Sequence, residues 1–295
     1  MTSSATVPFL KGHGTENDFV IIPDHQNTLD LPPAVVARIC DRRAGVGGDG
    51  LLRVVRSEAH PEARAMAPDA EWFMDYRNSD GSVAEMCGNG VRVFARHLGA
   101  AGLVEGGDLR IATRAGVREV HLPKDPAEGV TVTMGRPRLS GAEVTVTVGE
   151  RSWPAVQVDM GNPHAVVFVD DLAEAGPLRD APALSPAQAY PEGANVEFVV
   201  VGKDPASRQV ALRVHERGSG ETRSCGTGAC AVMVAAARRA GAEPVRDGTP
   251  VSYRVDVPGG TLRVSERVDG QIEMTGPAVI VAQGVLDAGW LAADQ

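Results

Sequence analysis

Short runs in which apolar and polar residues alternate dominate the chain. "EWFMDYR" (71–77), "VTVTM" (130–134), "VTVTV" (144–148), "AVVFVD" (165–170), "VEFVVV" (196–201), "VALRVHE" (210–216) and "SYRVDV" (252–257) are valine-rich and bounded by Gly, Pro or Asp. A period of two between such boundaries predicts β-strands. Helical periodicity is rarer. "PPAVVARICDRRAG" carries an early proline and a late glycine, the expected start and stop of a helix. "VRVFARHLGAAG" sets Val91, Phe94, Ala95 and Leu98 at i, i+3, i+4 and i+7, one apolar stripe. "ACAVMVAAARRAG" is apolar nearly all round until Arg238, which predicts a helix enclosed by protein.

Two of these helices share an entrance. "EMCGNG" and "RSCGTG" both place Cys-Gly-x-Gly before the helical stretch, with Cys87 and Cys225 138 residues apart. Nine residues before the cysteines stand Asn78 and Glu216, each at the end of a strand-like run. "VTMGRP" and "EMTGPA" echo one another at an offset of 140. Three echoes at nearly one offset point to duplication. The expected fold is α/β (α+β) in two pseudo-symmetric domains, each a curved, mainly antiparallel sheet wrapped on a central helix. Residues 1–136 plus 275–295 are expected to form the domain carrying Cys87, and 137–274 the domain carrying Cys225. The last strand, in "PAVIVAQG", then returns to the first domain.

Composition narrows the functions. The 295 residues include 43% hydrophobic ones, enough for substantial cores, and carry a net charge of −9. That charge argues against broad nucleic-acid binding, which needs a basic footprint. No apolar run approaches the roughly 20 residues of a membrane span. The N-terminal "MTSSATVPFL" lacks the basic start and apolar stretch of a signal peptide, so a cytoplasmic location is expected. The lysines Lys11, Lys124 and Lys203 lie in no recognisable pyridoxal phosphate motif, so a cofactor-free mechanism is favoured. Cys40, Cys87, Cys225 and Cys230 form no Cys-x-x-Cys pair, which removes zinc-ribbon and thioredoxin patterns and leaves no metal site. Cys40 and Cys230, each inside an apolar run, read as small core residues.

A thiol at a helix entrance has a specific chemical use. Unpaired backbone N–H groups there favour the thiolate, and glycines expose those groups without a Cβ in the way. The same N–H groups cradle a carboxylate, bringing its α-carbon to the sulfur. If one thiolate removes an α-proton and a second thiol returns one to the opposite face, configuration inverts, with donors around the carboxylate stabilising the enolate-like charge. Taken alone, a cysteine in a Gly-rich turn is structural, and two could instead form a disulfide. The twin motifs weigh towards catalysis.

"HGTENDFVIIPD", "DRRAGVGGDGLL", "NSDGSVAEMCGNGVRVFARHL", "MGNPHAVVFVD", "GANVEFV" and "ERGSGETRSCGTGACA" together resemble, in order, the motifs of diaminopimelate epimerases, from Lys11 to about Ala278. The resemblance implies a pyridoxal-phosphate-independent isomerase interconverting LL- and meso-diaminopimelate on the bacterial route to lysine and cell-wall precursors. It makes Cys87 and Cys225 the proton-transfer groups. Gly88, Asn89, Gly226 and Thr227 would cradle the α-carboxylate through backbone N–H groups, so that Ser in place of Thr227 should not matter. His164 and Glu216 would assist the thiols and the substrate amine. Asn17, Asn78, Asn162, Asn195 and Arg217 would hold the substrate, chiefly its distal end, where a guanidinium grips a carboxylate and amides both donate and accept. Gly50 stands where some relatives carry Gln, and "GTEN" replaces the more familiar "GLGN" before Asp18. A homodimer is an expectation of the resemblance alone.

Two rivals remain at this stage. A proline or hydroxyproline racemase of the same superfamily would share the thiols, although such enzymes usually read Cys-Gly-His at the first cysteine, where this chain has Cys-Gly-Asn. A redox-sensing binding protein would use the cysteines as a reversible disulfide.

Overall fold

The computed structural model describes residues 6–292, which divide into two compact units, 6–132 with 277–292, and 133–276. In the first unit the strands are β1 (Val7–Gly14), β2 (Asn17–Pro23), β3 (Gly50–Arg56), β4 (Trp72–Asn78), β5 (Gly107–Thr113), β6 (Gly116–Leu122) and the start of β7 (Val130–Gly135). The C-terminal strand Val279–Leu286 pairs with β1 at the edge, and the order then follows the numbering. Successive neighbours are antiparallel, antiparallel, parallel, antiparallel, parallel, antiparallel, antiparallel.

The second unit contains β8 (Arg138–Val148), β9 (Arg151–Asp159), β10 (Pro163–Phe168), β11 (Ala183–Ser185), β12 (Asn195–Val201), β13 (Gln209–Glu216), β14 (Gly220–Thr222), β15 (Val251–Val257), β16 (Gly260–Glu266) and β17 (Ile272–Gly276). Along β8–β9–β10–β12–β13–β15–β16–β17 the same series of directions recurs, with short β11 and β14 added on β8 and β13. The repeat glimpsed in the cysteine motifs is therefore a repeat of whole sheet topology. It also aligns residues: Phe19 pairs with Gly50 across β2–β3, as His164 pairs with Asn195 across β10–β12. Asn17 and Asn162 lie two residues before those positions, and Leu52 and Glu197 two residues after their partners.

Each unit packs its sheet on one helix, α2 (Gly88–Ala100) in the first and α3 (Gly226–Arg239) in the second. Both are more deeply buried than a one-stripe surface helix. In α2 every residue from Gly88 to Leu98 is buried, including Arg92 at 0% exposure. Arg92 donates to the carbonyl of Pro277 and the hydroxyl of Thr15, which satisfies its charge-bearing group inside the protein. Both helices stop the same way. Gly102 and Gly241 take positive φ, while Leu103 and Ala242 donate back to the carbonyls of Leu98 and Ala237. Glycine is favoured there because it enters left-handed space without a Cβ clash.

The strand predictions match within a residue or two, except that "VTVTV" is the end of the longer β8. Strands β1, β2, β3, β5, β6, β9, β11, β14, β16 and β17 lie outside the runs read as strands from the sequence. The first helix, α1 (Pro33–Cys40), is shorter than "PPAVVARICDRRAG" suggests. Asp41 ends it, because its carboxylate accepts the N–H groups of Arg43 and Ala44 at 2.7 and 2.6 Å and offers the backbone a turn instead. Cys40 and Cys230 lie in the core, and burial pushes the Cys40 thiol up to about 12. Among the described residues no helix is long and apolar enough to cross a membrane.

Candidate functional site

Cys87 is the N-cap of α2 and Cys225 the N-cap of α3. Each has extended backbone, and each sulfur accepts the N–H three residues on, from Gly90 and Gly228, at 3.4 Å. Ser, Thr, Asp and Asn fill this position in ordinary helices, since a small oxygen reaches the N–H better. Sulfur in the same role places a polarisable, ionisable atom in the field of a helix N-terminus. Gly88 and Gly226 are the first helical residues, so neither presents a side chain beside its thiol.

Two amide side chains lie around Cys87. The thiol donates to Asn17 Oδ1 at 3.5 Å, and Asn89 Nδ2 donates to the same oxygen at 3.2 Å. Asn17 is in turn fixed through Nδ2 to Asp49 at 2.8 Å. Asp49 and Asp18 share the guanidinium of Arg42, and Lys11 pairs with Asp18 at 2.6 Å. Burial opposes ionisation of Asp18, but Arg42 and Lys11 outweigh it and hold the carboxyl below its usual range. The turn before Asn17 is a two-residue hairpin in which Thr15 and Glu16 have φ of 51° and 60°. Such a connection requires positive φ at both places, where neither residue is at ease. Gly50 lies opposite Asn78 on β3, and a Cβ there would sit 2.6 Å from the carbonyl of Arg77. A larger residue needs a shifted backbone. Asn78 itself turns its amide to Ser82 at 3.0 Å.

Around Cys225 the contacts are ionisable. Its exposure is 5%, and the thiol contacts Thr227 Oγ1 at 3.5 Å. Burial raises the thiol well above its ordinary value, with the negative charges of Glu216 and Glu197 adding to the effect; Thr227 and the Gly228 N–H oppose it. Glu216 bonds Thr222 and Cys225, yet burial still pushes its carboxyl up. His164 is fully buried on β10 rather than in a turn. Its Nδ1 lies 2.7 Å from Glu197 Oε1 and its Nε2 3.0 Å from Asn162 Oδ1. Asn162 Nδ2 donates to Thr227 Oγ1 at 3.3 Å. The Thr227 side chain is thus engaged twice, so it does more than lend a backbone N–H. Asn195 accepts the Arg217 backbone N–H at 2.9 Å and donates to the Pro163 carbonyl. The Arg217 guanidinium is half-exposed, 3.7 Å from Glu192, and open to a carboxylate ligand.

The fold thus gathers Asn17, Asn89, Gly88 and Cys87 in one unit, and Asn162, His164, Glu216, Gly226, Thr227 and Cys225 in the other. Three contributors escaped the sequence reading: Asp49, which holds Asn17; Thr222, which holds Glu216; and Glu197. Only Glu197 left a signal. It is a lone charge inside the otherwise apolar "VEFVVV".

A family model described as diaminopimelate epimerase matches residues 9–140 and 156–281. A diaminopimelate epimerase of Streptomyces coelicolor is 68% identical over 288 residues, covering 98% of each chain. One from Mycolicibacterium smegmatis is 46% identical, covering 96% of this chain and 97% of that one. Among solved structures, a probable proline racemase from Agrobacterium radiobacter aligns with TM-score 0.68 at 16% identity, covering 95% of this chain and 93% of the other. A Bacillus anthracis protein of the PhzF phenazine biosynthesis family also gives 0.68, at 18% identity over 96% and 99%. At those identities the likeness is one of fold.

Proposed function

The chain belongs to the diaminopimelate epimerase family, and from that premise we propose that it interconverts LL- and meso-diaminopimelate by proton exchange at one α-carbon, with no cofactor, in the cytoplasm. The observation that supports this best is the pair of thiol N-caps, Cys87 and Cys225, built alike on two copies of one topology. The backbone N–H groups at each helix start, at Gly88–Asn89 and at Gly226–Thr227, suit a substrate α-carboxylate. Those dipoles stabilise the enolate-like charge that develops as the α-proton leaves. One cysteine, as thiolate, takes that proton. The other, as thiol, donates to the opposite face, so the carbon inverts and the two sulfurs exchange roles.

The surrounding residues serve these steps. In the first unit the Gly90 N–H solvates sulfur and Asn17 Oδ1 accepts the thiol proton; in the second, Thr227 and the Gly228 N–H contact the sulfur. Glu216 takes the substrate ammonium, which supplies the positive partner that its buried carboxyl lacks. Arg217, with Asn78, Asn162 and Asn195, holds the distal amino-acid end. A racemase for proline needs no guanidinium for a far carboxylate, and family membership weighs against it.

Incubation of the enzyme with LL-diaminopimelate in deuterated water tests the reading. Formation of meso isomer carrying α-deuterium is expected. Turnover of proline with none of diaminopimelate, or reversible thiol oxidation with no α-proton exchange, would overturn it.

A further inference from the structure

Resting on the epimerase reading, we infer that Glu197 is a positioning residue that sets the direction of the hydrogen-bond chain ending at the Cys225 sulfur. The chain runs Glu197, His164, Asn162, Thr227, Cys225, with successive separations of 2.7, 3.0, 3.3 and 3.5 Å. Its sense is set by donors and acceptors. A carboxylate only accepts, so the His164 Nδ1 opposite Glu197 carries hydrogen. Asn162 gives its N–H to Thr227 and turns its oxygen to His164 Nε2, which then carries hydrogen as well. Because Thr227 Oγ1 accepts from Asn162, its own proton is free to point at sulfur. From His164 onward every link donates towards Cys225, and the last one solvates a thiolate.

The chain has a second state. If Nε2 gives up its hydrogen to water as the sulfur takes one from the substrate, Nε2 becomes an acceptor, the Asn162 amide turns over, and Thr227 donates to Asn162 instead. Thr227 can then accept from an S–H. Glu197 keeps Nδ1 protonated in both states, so the ring changes only at Nε2, the end that faces the thiol. The imidazolium thus accompanies the thiolate, and the neutral ring accompanies the thiol. The two states suit a group that is a base in one direction of reaction and an acid in the other.

Three observations place Glu197 in this role. It is fully buried, and Oε2 has no hydrogen-bond partner among the described residues, so the carboxylate depends on His164. A Cβ added at Gly228, whose N–H caps Cys225, would lie 2.7 Å from Glu197 Oε1. In the first unit the matching positions are Phe19 and Leu52, so the pair is an addition to the scaffold rather than part of it. The titratable groups facing Glu197 are His164 from β10, Glu216 from β13, Cys225 from α3 and Tyr190, which donates to the His164 carbonyl.

The test combines kinetics and spectroscopy on full-length enzyme. Glu197→Gln, which can donate as well as accept at Nδ1, is expected to lower kcat about 10- to 100-fold and to move a limb of the kcat/KM pH profile. Thr227→Val should do the same, and Thr227→Ser should recover most of that loss. The double variant Glu197→Gln/Thr227→Val should be no slower than Thr227→Val, because both act through one hydroxyl. Multiplying losses, or an unaltered pH profile in folded Glu197→Gln, would overturn the inference. ¹⁵N-histidine NMR of substrate-free enzyme, with His164 assigned by His164→Gln, checks it without turnover. Nδ1 should carry hydrogen in wild type, and lose that constraint in Glu197→Gln. A ring protonated only at Nε2 in wild type would refute the chain even if diaminopimelate is epimerised. Failure of wild type to exchange the α-proton would instead refute the function and leave the NMR result standing.

Discussion

The two thiol sites share a backbone and differ in what lies behind it. Behind Cys87, a Cβ at the capping Gly90 would meet Leu52 at 3.3 Å and Phe19 at 3.6 Å, both apolar and fully buried. Behind Cys225, the equivalent Gly228 faces the carboxylate of Glu197, which is bonded to His164. The first sulfur is half-buried, with Asn17 and the Gly90 N–H beside it; the second is buried, with the charges of two carboxylates acting on it. A duplicated scaffold thus supplies the helix start and the N–H groups, while side chains on β2, β3, β10 and β12 supply each thiol's electrostatics. Equal backbone does not make equal surroundings. The substrate is itself unsymmetrical, since the two faces of its α-carbon lead to different isomers, and the site need not be symmetrical either.

The first way to break the comparison is to remove either sulfur. Cys87→Ala and Cys225→Ala should each lose about 10²- to 10⁴-fold in turnover, the range of a general acid or base. Substrate-derived α-deuterium measurements check it, and near-normal epimerisation by one variant would leave that half without a catalytic part. The second way is to make one half resemble the other. His164→Phe strands Glu197 as an unpaired buried charge and should cost about 3–5 kcal/mol of stability. His164→Phe/Glu197→Leu, which copies Phe19 and Leu52, should return most of it in urea unfolding. No recovery would mean that the pair contributes more than mutual neutralisation.

A smaller contrast concerns the capping glycines. Gly228→Ala puts a methyl 2.7 Å from a buried carboxylate oxygen and should cost about 1–3 kcal/mol. Gly90→Ala meets only side-chain carbons, at 3.3 Å or more, so its melting temperature should fall less. The smallest effect is on stability above neutral pH. Cys225 has its ionisation raised in the folded protein, so above the ordinary thiol value near ~8.5 the unfolded chain releases a proton that the folded one keeps. Stability is lost as pH rises, by up to about 1.4 kcal/mol per unit. Between pH 7.5 and 9.5, Cys225→Ser should show a flatter dependence than wild type in denaturant unfolding. An unchanged slope would place the thiolate at no disadvantage in the fold.

Much of the site was written locally. Cys-Gly-x-Gly announces a cap, a glycine-lined helix start and a reactive atom within four residues, and its repetition reveals two of them. His164 and Glu216 were legible only through the family motifs, since alone each has an ordinary structural explanation. Asp49 and Thr222 were not legible. Each acts on a partner reached by chain folding, Asn17 at 32 positions and Glu216 across a tight β13–β14 turn. Strand alternation failed where strands are covered on both faces, as in β3, whose residues from Gly50 to Val55 are all buried.

By itself the sequence determined the elements whose causes are local: the capped helices, their glycine stops, the valine-rich strands and the duplication behind them. Tertiary structure decided which strands are neighbours, and with that the surroundings of each sulfur. His164 and Glu197 are 33 positions apart and become a 2.7 Å pair only because β10 and β12 run parallel in one register. Pairing of that kind depends on long-range burial and on hydrogen bonds between distant segments, which no short window of residues encodes.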